Sequence, residues 1–295
     1  MIADSGKDKH NIRDWWAQNP MTYGETHGQT DFLQTDEHIR LGTPDFFQKV
    51  DQIFYARYPQ LHSAEGNFSE LFPYQRYRGK AVLEVGCGMG TMAMNWALQG
   101  ASVTAVDLNP TSIEQTHRRF ELMGLTGTIN LADGNELPFE DESFDYAYSW
   151  GVLHHSPNLN RSLRELVRVL RRGGEFGLML YNRDSVLYRH SITFLEGFLH
   201  GESIFLDEAA LASRYTDGAR EEGNPHTWPV TKQEILKMLS PVATDLRVRK
   251  LGTDLDAALE MMIPLPKVNR WFPRGWKKAL ARRWGWSLWV TGSKP

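Results

Sequence analysis

Short apolar runs alternate with stretches of helical spacing through the middle of the chain. The runs are AVLEV (81–85), SVTAVD (102–107), TINLA (128–132), FDYAYSW (144–150) and EFGLMLY (175–181). Helix-like composition fills 90–99, 111–123 and 157–170, and the last of these sets Leu159, Leu163, Leu166, Val167 and Leu170 on one face. Near-continuous apolar strands separated by helices predict a parallel sheet covered on both sides. Residues 1–78 are polar and aromatic, without period-2 runs. There Phe46, Phe47, Val50, Ile53 and Phe54 recur at helical spacing behind the start signals Pro44 and Asp45, so a helical N-terminal extension is expected. Residues 182–230 read as helices and loops inserted after the fifth strand. Residues 231–295 begin with a helix-like TKQEILKML, continue with a strand at 245–251, carry an insert at about 252–285, and close on a strand-like WSLWVTG (286–292).

Composition narrows the class. The 295 residues are 41% hydrophobic and 23% charged, as in ordinary globular proteins, which excludes a disordered chain, a collagen-like fibre and a coiled-coil rod. With 33 basic and 36 acidic residues the net charge is -3, so no overall field would hold the chain on nucleic acid. A single cysteine, Cys87, leaves no intrachain disulfide and no Cys-rich zinc site. The first ten residues have no apolar signal core, and no apolar run reaches the roughly 18 residues of a membrane span. A soluble cytoplasmic protein is expected.

The chemistry concentrates in Glu84-Val-Gly86-Cys-Gly88-Met-Gly90-Thr91, where the first strand should end and the first helix begin. Glycines there allow a tight turn and close backbone approach to a ligand, and a helix N-terminus adds oriented N–H groups. A P-loop would need Gly-Lys-Ser/Thr, which does not occur. A dinucleotide fingerprint would need glycine at 91, which is Thr91, and Glu84 would repel a pyrophosphate. Asp107 ends the second strand about twenty residues on, where an acid can accept two ribose hydroxyls. Asp133 and Gly134 follow the third strand, where an acid can meet an adenine amino group.

The runs VLEVGCGMGT, AVDLNP, LADGNELPFEDESFDYAYSWGVLHH and LRRGGEFGLML, over roughly residues 80–182, resemble the class I S-adenosylmethionine-dependent methyltransferases. The combination LPFEDESFD with VLHH is similar to the branch containing the ubiquinone and menaquinone methyltransferases. One departure is Arg172, where that branch often has proline; Gly173 and Gly174 keep the turn. The resemblance implies an α/β, Rossmann-like seven-stranded sheet of order 3-2-1-4-5-7-6, with strand 7 antiparallel. It makes 79–181 the cofactor-binding core, 1–78 an extension or lid, and 182–230 an acceptor-side cap. It implies S-adenosyl-L-methionine as cofactor. Glu84 and the backbone of Gly86, Gly88 and Gly90 would surround its methionine part and Asp107 its ribose. Leu108 would lie against the adenine, Asp133 and Gly134 at the adenine edge, and Trp150 beside the sulfonium.

Methyl transfer mainly requires two atoms held in line at about 3–3.5 Å with water excluded. An oxygen or carbon acceptor also benefits from a general base. His154, His155 and Tyr181 are the candidates, set against a packing role for each. Cys87 reads as a small residue in a tight turn rather than a nucleophile. Arg214, Tyr215, Arg220 and His226 could line an acceptor pocket or stand as exposed loop residues. Trp15, Trp16, Tyr23, Tyr55 and Tyr58 could close over the cofactor, cage a cation or pack the extension onto the sheet. No metal is implied, because histidines and acids do not fall at ligand spacing.

Segment 267–286 carries seven lysines and arginines, no acid, and interleaved Trp271, Phe272, Trp276, Trp284 and Trp286. Such a stretch can be a helical insert packed on the sheet, can lie on an anionic membrane surface, or can touch RNA; nucleic acid is not expected. A small-molecule acceptor is expected, with a membrane-surface lipid or quinone methyltransferase, or a non-methylating enzyme using the same cofactor, as alternatives. The aromatic N-terminal zone leaves a homodimer open.

Overall fold

The apolar runs condense into one sheet. The computed structural model describes residues 11–16, 40–56, 58–217, 223–252, 279 and 282–295. Its strands are β1 (Ala81–Val85), β2 (Ser102–Asp107), β3 (Thr128–Leu131), β4 (Phe144–Trp150), β5 (Leu170–Tyr181), β6 (Thr244–Leu251) and β7 (Ser287–Ser293). They lie in the order β3-β2-β1-β4-β5-β7-β6. The first five pair in parallel, and β7 runs antiparallel between β5 and β6. Central parallel strands are covered on both faces, which is why β1 and β4 are apolar at nearly every position.

One face is aliphatic. Leu83, Val85, Ala147, Leu178, Leu180, Leu288 and Val290 pack against Leu163, Leu166 and Val167 of helix Leu159–Arg168 and against Ile235 and Leu239 of helix Lys232–Leu239. The other face is aromatic. Trp96 of helix Thr91–Leu98 lies over Tyr146 and Tyr148. Phe72 meets Trp96, Tyr148 and Trp289 at ring separations of 5.5, 5.0 and 5.3 Å.

The N-terminal helix forms at Pro44–Ala56 and buries Phe46, Phe47, Val50 and Phe54. It is tied to helix Pro110–Leu122 by Arg119, whose Nη1 donates to both carboxylate oxygens of Asp51 at 2.7 and 3.0 Å. Beyond it, residues 58–79 contain only the single turns Pro59–Leu61 and Tyr74–Tyr77. The expected helical character stops there because Pro59, Gly66, Pro73 and Gly79 interrupt it. A second difference concerns β5, which begins at Leu170 rather than 175. Gly173 and Gly174 make an irregularity within the strand, and the β4–β5 register shifts between Phe144 and Tyr146.

Residues 182–230 leave and rejoin the sheet at the tip of β5. The Val230 N–H donates to the Tyr181 carbonyl and the Arg183 N–H to the Val230 carbonyl, at 2.9 and 3.0 Å. Between them lie a wide π-type helix (Leu187–Leu199), a turn (Glu202–Ile204) and helix Glu208–Tyr215. Tyr188, Ile192, Leu211 and Ala212 pack with Trp286. Of the basic stretch, Lys267, Arg270, Trp271, Phe272, Arg274, Trp276, Lys277 and Lys278 lie outside the described residues. Arg282, Arg283 and Trp284 are exposed, and Trp286 is buried. Among the described residues no helix is long and apolar enough to cross a membrane.

Candidate active site

A cavity opens at the carboxyl ends of β1, β2, β4 and β5, where open parallel sheets bind ligands. Its floor is the turn after β1. Gly86, Gly88 and Gly90 all adopt positive φ, at +87, +51 and +73°. At Gly86 a Cβ would stand 2.4 Å from Val152, so both the backbone conformation and the space require glycine. The N–H groups of Gly86 and Cys87 share the Val106 carbonyl, at 2.7 and 3.1 Å. The turn then enters helix Thr91–Leu98.

Asp107, at the end of β2, braces this turn. Its Oδ2 accepts from the Gly88 N–H and its Oδ1 from the Asn109 N–H, both at 2.9 Å. Burial raises its carboxyl above the usual range, and these backbone donors oppose the rise. Each oxygen keeps a further lone pair for a ligand. Asp133 is held the same way, its Oδ1 accepting from the Asn135 N–H at 2.9 Å.

Gly86, Gly88, Asp107, Leu108, Asp133, Gly134 and Trp150 line this cavity together. Glu84 and Gly90 do not. Glu84 is buried beneath the loop, its Oε2 without a hydrogen-bond partner, and burial pushes its carboxyl well above the ordinary range. Gly90 caps helix Thr91–Leu98 and packs against Thr116. Cys87 is buried in the turn, with the Thr116 hydroxyl 3.5 Å from its sulfur. Burial drives its thiol upward, away from the reactive thiolate.

The three candidate bases separate. His154 is fully buried and outside the cavity wall. Burial, with His155 and His226 nearby, drives its ring well below the ordinary value, so it stays neutral. Its ring packs against Tyr181 at a tilt of 42°, with centroids 3.9 Å apart. His155 and Tyr181 both reach the cavity. The Tyr181 hydroxyl donates to Asp217 Oδ1 at 2.7 Å, and His155 Nε2 lies 3.2 Å from Asp217 Oδ2. His155 Nδ1 faces the His226 carbonyl at 2.9 Å.

Folding thus brings His154, His155 and Asp217 within 4.8 Å of one another, although no metal-ligand spacing joins them in sequence. Asp217 lies 62 positions from His155 in an insert without motif, and no sequence signal marked it. Met179 and Asn109 were likewise unmarked and line the cavity, as does Asn135 beside Gly134. Ile12, Arg13 and Trp16, from a short helix over 11–16, cover it, with Phe54 and Tyr58. The Trp16 carbonyl accepts from Asn109 Nδ2 at 2.8 Å, and its ring meets His155 edge-on at 5.1 Å. Tyr55 binds Asn95, and Tyr215 binds Glu202; Tyr55, Arg214 and Tyr215 are not cavity walls. Tyr23 and Arg220 lie outside the described residues.

Residues 83–178 match the family model described as a methyltransferase domain. Over 96 residues the chain is 38% identical to a sterol 4-C-methyltransferase of Caenorhabditis elegans, covering 32% of this chain and 29% of that protein. Over 98 residues it is 46% identical to phthiotriol/phenolphthiotriol dimycocerosates methyltransferase 1 of Mycobacterium ulcerans, covering 32% and 35%. The chain thus spans about a third of the length of these curated relatives. A structure titled as a SAM-dependent methyltransferase from Methanosarcina mazei superposes with a TM-score of 0.52 at 22% identity, covering 76% of this chain and 98% of that one. A Pyrococcus horikoshii protein gives 0.52 at 15%, covering 91% and 100%. At these identities the two structures share the fold.

Proposed function

We propose, from the match of residues 83–178 to a methyltransferase domain, that the chain moves the methyl group of S-adenosyl-L-methionine to a small, largely apolar acceptor. The observation that carries this reading is that the Gly86–Gly88 turn, Asp107, Asp133 and Trp150 converge on one cavity. The residues fit the cofactor. Asp107 retains acceptor lone pairs for the ribose hydroxyls after bracing the loop. The backbone of Gly86 and Gly88 lines the cavity where the amino-acid tail would lie, and Leu108 with Leu153 offers apolar walls to the adenine. The sulfonium, when bound, supplies both the methyl group and the driving force.

The protein's part is alignment and exclusion of water. Trp16, Phe54, Tyr58, Trp150 and Met179 make an apolar enclosure, and His155, Tyr181 and Asp217 supply its polar end. An acceptor with an apolar body and one polar reacting group matches that division. The sterol and phthiotriol substrates in the relatives' names have that character. His154 lies behind Tyr181, away from the cavity wall, while His155 and Tyr181 face the acceptor space.

Calorimetry with the cofactor tests the assignment. Asp107→Ala removes two hydrogen bonds from a charged acceptor, and affinity should fall by at least roughly tenfold. Unchanged affinity overturns it.

A second reading, a lipid or quinone methyltransferase working at a membrane surface, is favoured by the cap. There Phe198, Ile204 and Phe205 are 73, 78 and 86% exposed, with Phe194 and Leu199 beside them. Liposome flotation separates the two readings.

A further inference from the structure

We propose that His154, His155 and Asp217 form a binding site for one divalent transition-metal ion at the polar end of the cavity. Four nitrogen and oxygen atoms in this cluster are buried without a hydrogen-bond partner: Nδ1 and Nε2 of His154, Nε2 of His155 and Oδ2 of Asp217. Leaving such atoms unpaired is costly, so a concentration of them in one place marks a missing partner.

The arrangement selects a cation. The His226 carbonyl, 2.9 Å from His155 Nδ1, can only accept, and the Thr227 hydroxyl 3.1 Å away already donates to Asn224, so Nδ1 carries a hydrogen and Nε2 is the nitrogen left for a ligand. His155 Nε2 and Asp217 Oδ2 stand 3.2 Å apart with no hydrogen bond between them. The same separation suits two ligands of one tetrahedral ion, which sit roughly 3.3 Å apart when bonds are about 2.0–2.1 Å. One nitrogen of His154, within 4.8 Å of the other two ligand atoms, would supply the third ligand by closing slightly onto the ion, since two ligands bonded at about 2.1 Å stand no more than about 4.2 Å apart. Two imidazoles and a carboxylate suit zinc, cobalt, manganese or ferrous iron rather than calcium.

The supporting groups are those that metal ligands use. A ligating histidine ordinarily donates its other N–H to a backbone carbonyl, and a ligating carboxylate is itself hydrogen-bonded. Here His226 O receives Nδ1 of His155, and the Tyr181 hydroxyl holds Asp217 Oδ1 at 2.7 Å. His155 and Asp217 line the cavity, so an ion held by them would be reachable from the ligand space. An ion there selects acceptors that present an oxygen, such as an alcohol or a phenol. This last step rests on the methyl-transfer reading, but the metal site does not.

The test uses untagged full-length protein, stripped with chelator and titrated with Co²⁺ in the absence of cofactor. Calorimetry should give one equivalent, accompanied by the visible absorption of a low-coordinate cobalt centre. His155→Gln and Asp217→Asn should each weaken binding by at least about tenfold, and Tyr181→Phe, which keeps all three ligands, by roughly tenfold through the lost brace. Tyr181→Phe keeps the test decisive should a ligand variant fail to fold. No Co²⁺ binding by the wild type, or binding undiminished in the variants, overturns the site. Cofactor affinity, measured separately, reports on the methyltransferase assignment alone.

Discussion

Glu84 shows how one residue couples the glycine turn to stability. Its side chain is 2% exposed, and burial raises its carboxyl well above the ordinary 4.5. The native state therefore holds a proton that the unfolded chain releases near the ordinary value. That contribution to stability is complete below about pH 4.5 and is lost as pH rises toward the elevated native value, at about 1.4 kcal/mol per pH unit. Glutamine copies the protonated form at every pH. Glu84→Gln should therefore match the wild type near pH 4 and melt higher at about pH 8. Thermal melts of both proteins without cofactor read the difference, and a gap independent of pH would show that Glu84 is ionised in the fold.

At the level of elements, local pattern decided what could be read in advance. Each apolar run became a strand and each periodic stretch a helix, because the parallel sheet needs both and little else competes. The glycine turn and the two aspartates fall at fixed offsets within β1, β2 and the loop after β3, so their convergence was legible. Asp217 and the covering helix over 11–16 were not. Their positions depend on long-range packing: Tyr181 must reach across 36 residues to Asp217, and Asn109 across 93 to Trp16. Expectations for Tyr23, Arg220 and most of the basic stretch lie on residues outside those described. The short helix nevertheless yields a prediction. Ile12, Arg13 and Trp16 form part of the cavity wall, and a large aromatic covering a ligand contributes on the order of 1.5 kcal/mol. Trp16→Ala should weaken cofactor binding by about tenfold, and removal of residues 1–40 by at least as much. Affinity unchanged in both, by calorimetry, would mean that this segment is packing rather than a lid.

Over the whole molecule, polarity is segregated. Seven of the 33 lysines and arginines fall within 267–286, without an acid, in a chain whose net charge is -3. The described end of that stretch leads through exposed Arg282, Arg283 and Trp284 to Trp286, which packs with Tyr188 and Ile192 of the π-type helix. The same helix carries Phe194 and Phe198, stacked at 5.9 Å on its exposed side. Cationic and apolar groups on neighbouring elements are what an anionic bilayer surface recognises: charge acts over a Debye length of about 10 Å, and inserted rings supply the short-range term. Wild-type protein should co-float with vesicles containing anionic phospholipid at low salt. Phe198→Ser combined with Phe205→Ser should reduce the bound fraction by more than about tenfold, because each buried ring is worth roughly 1.5–3 kcal/mol. Raised salt should weaken wild-type binding further through the basic stretch. If the wild type stays at the bottom of the gradient at low salt, the apolar patch faces something other than lipid, and the acceptor reaches the cavity from solution.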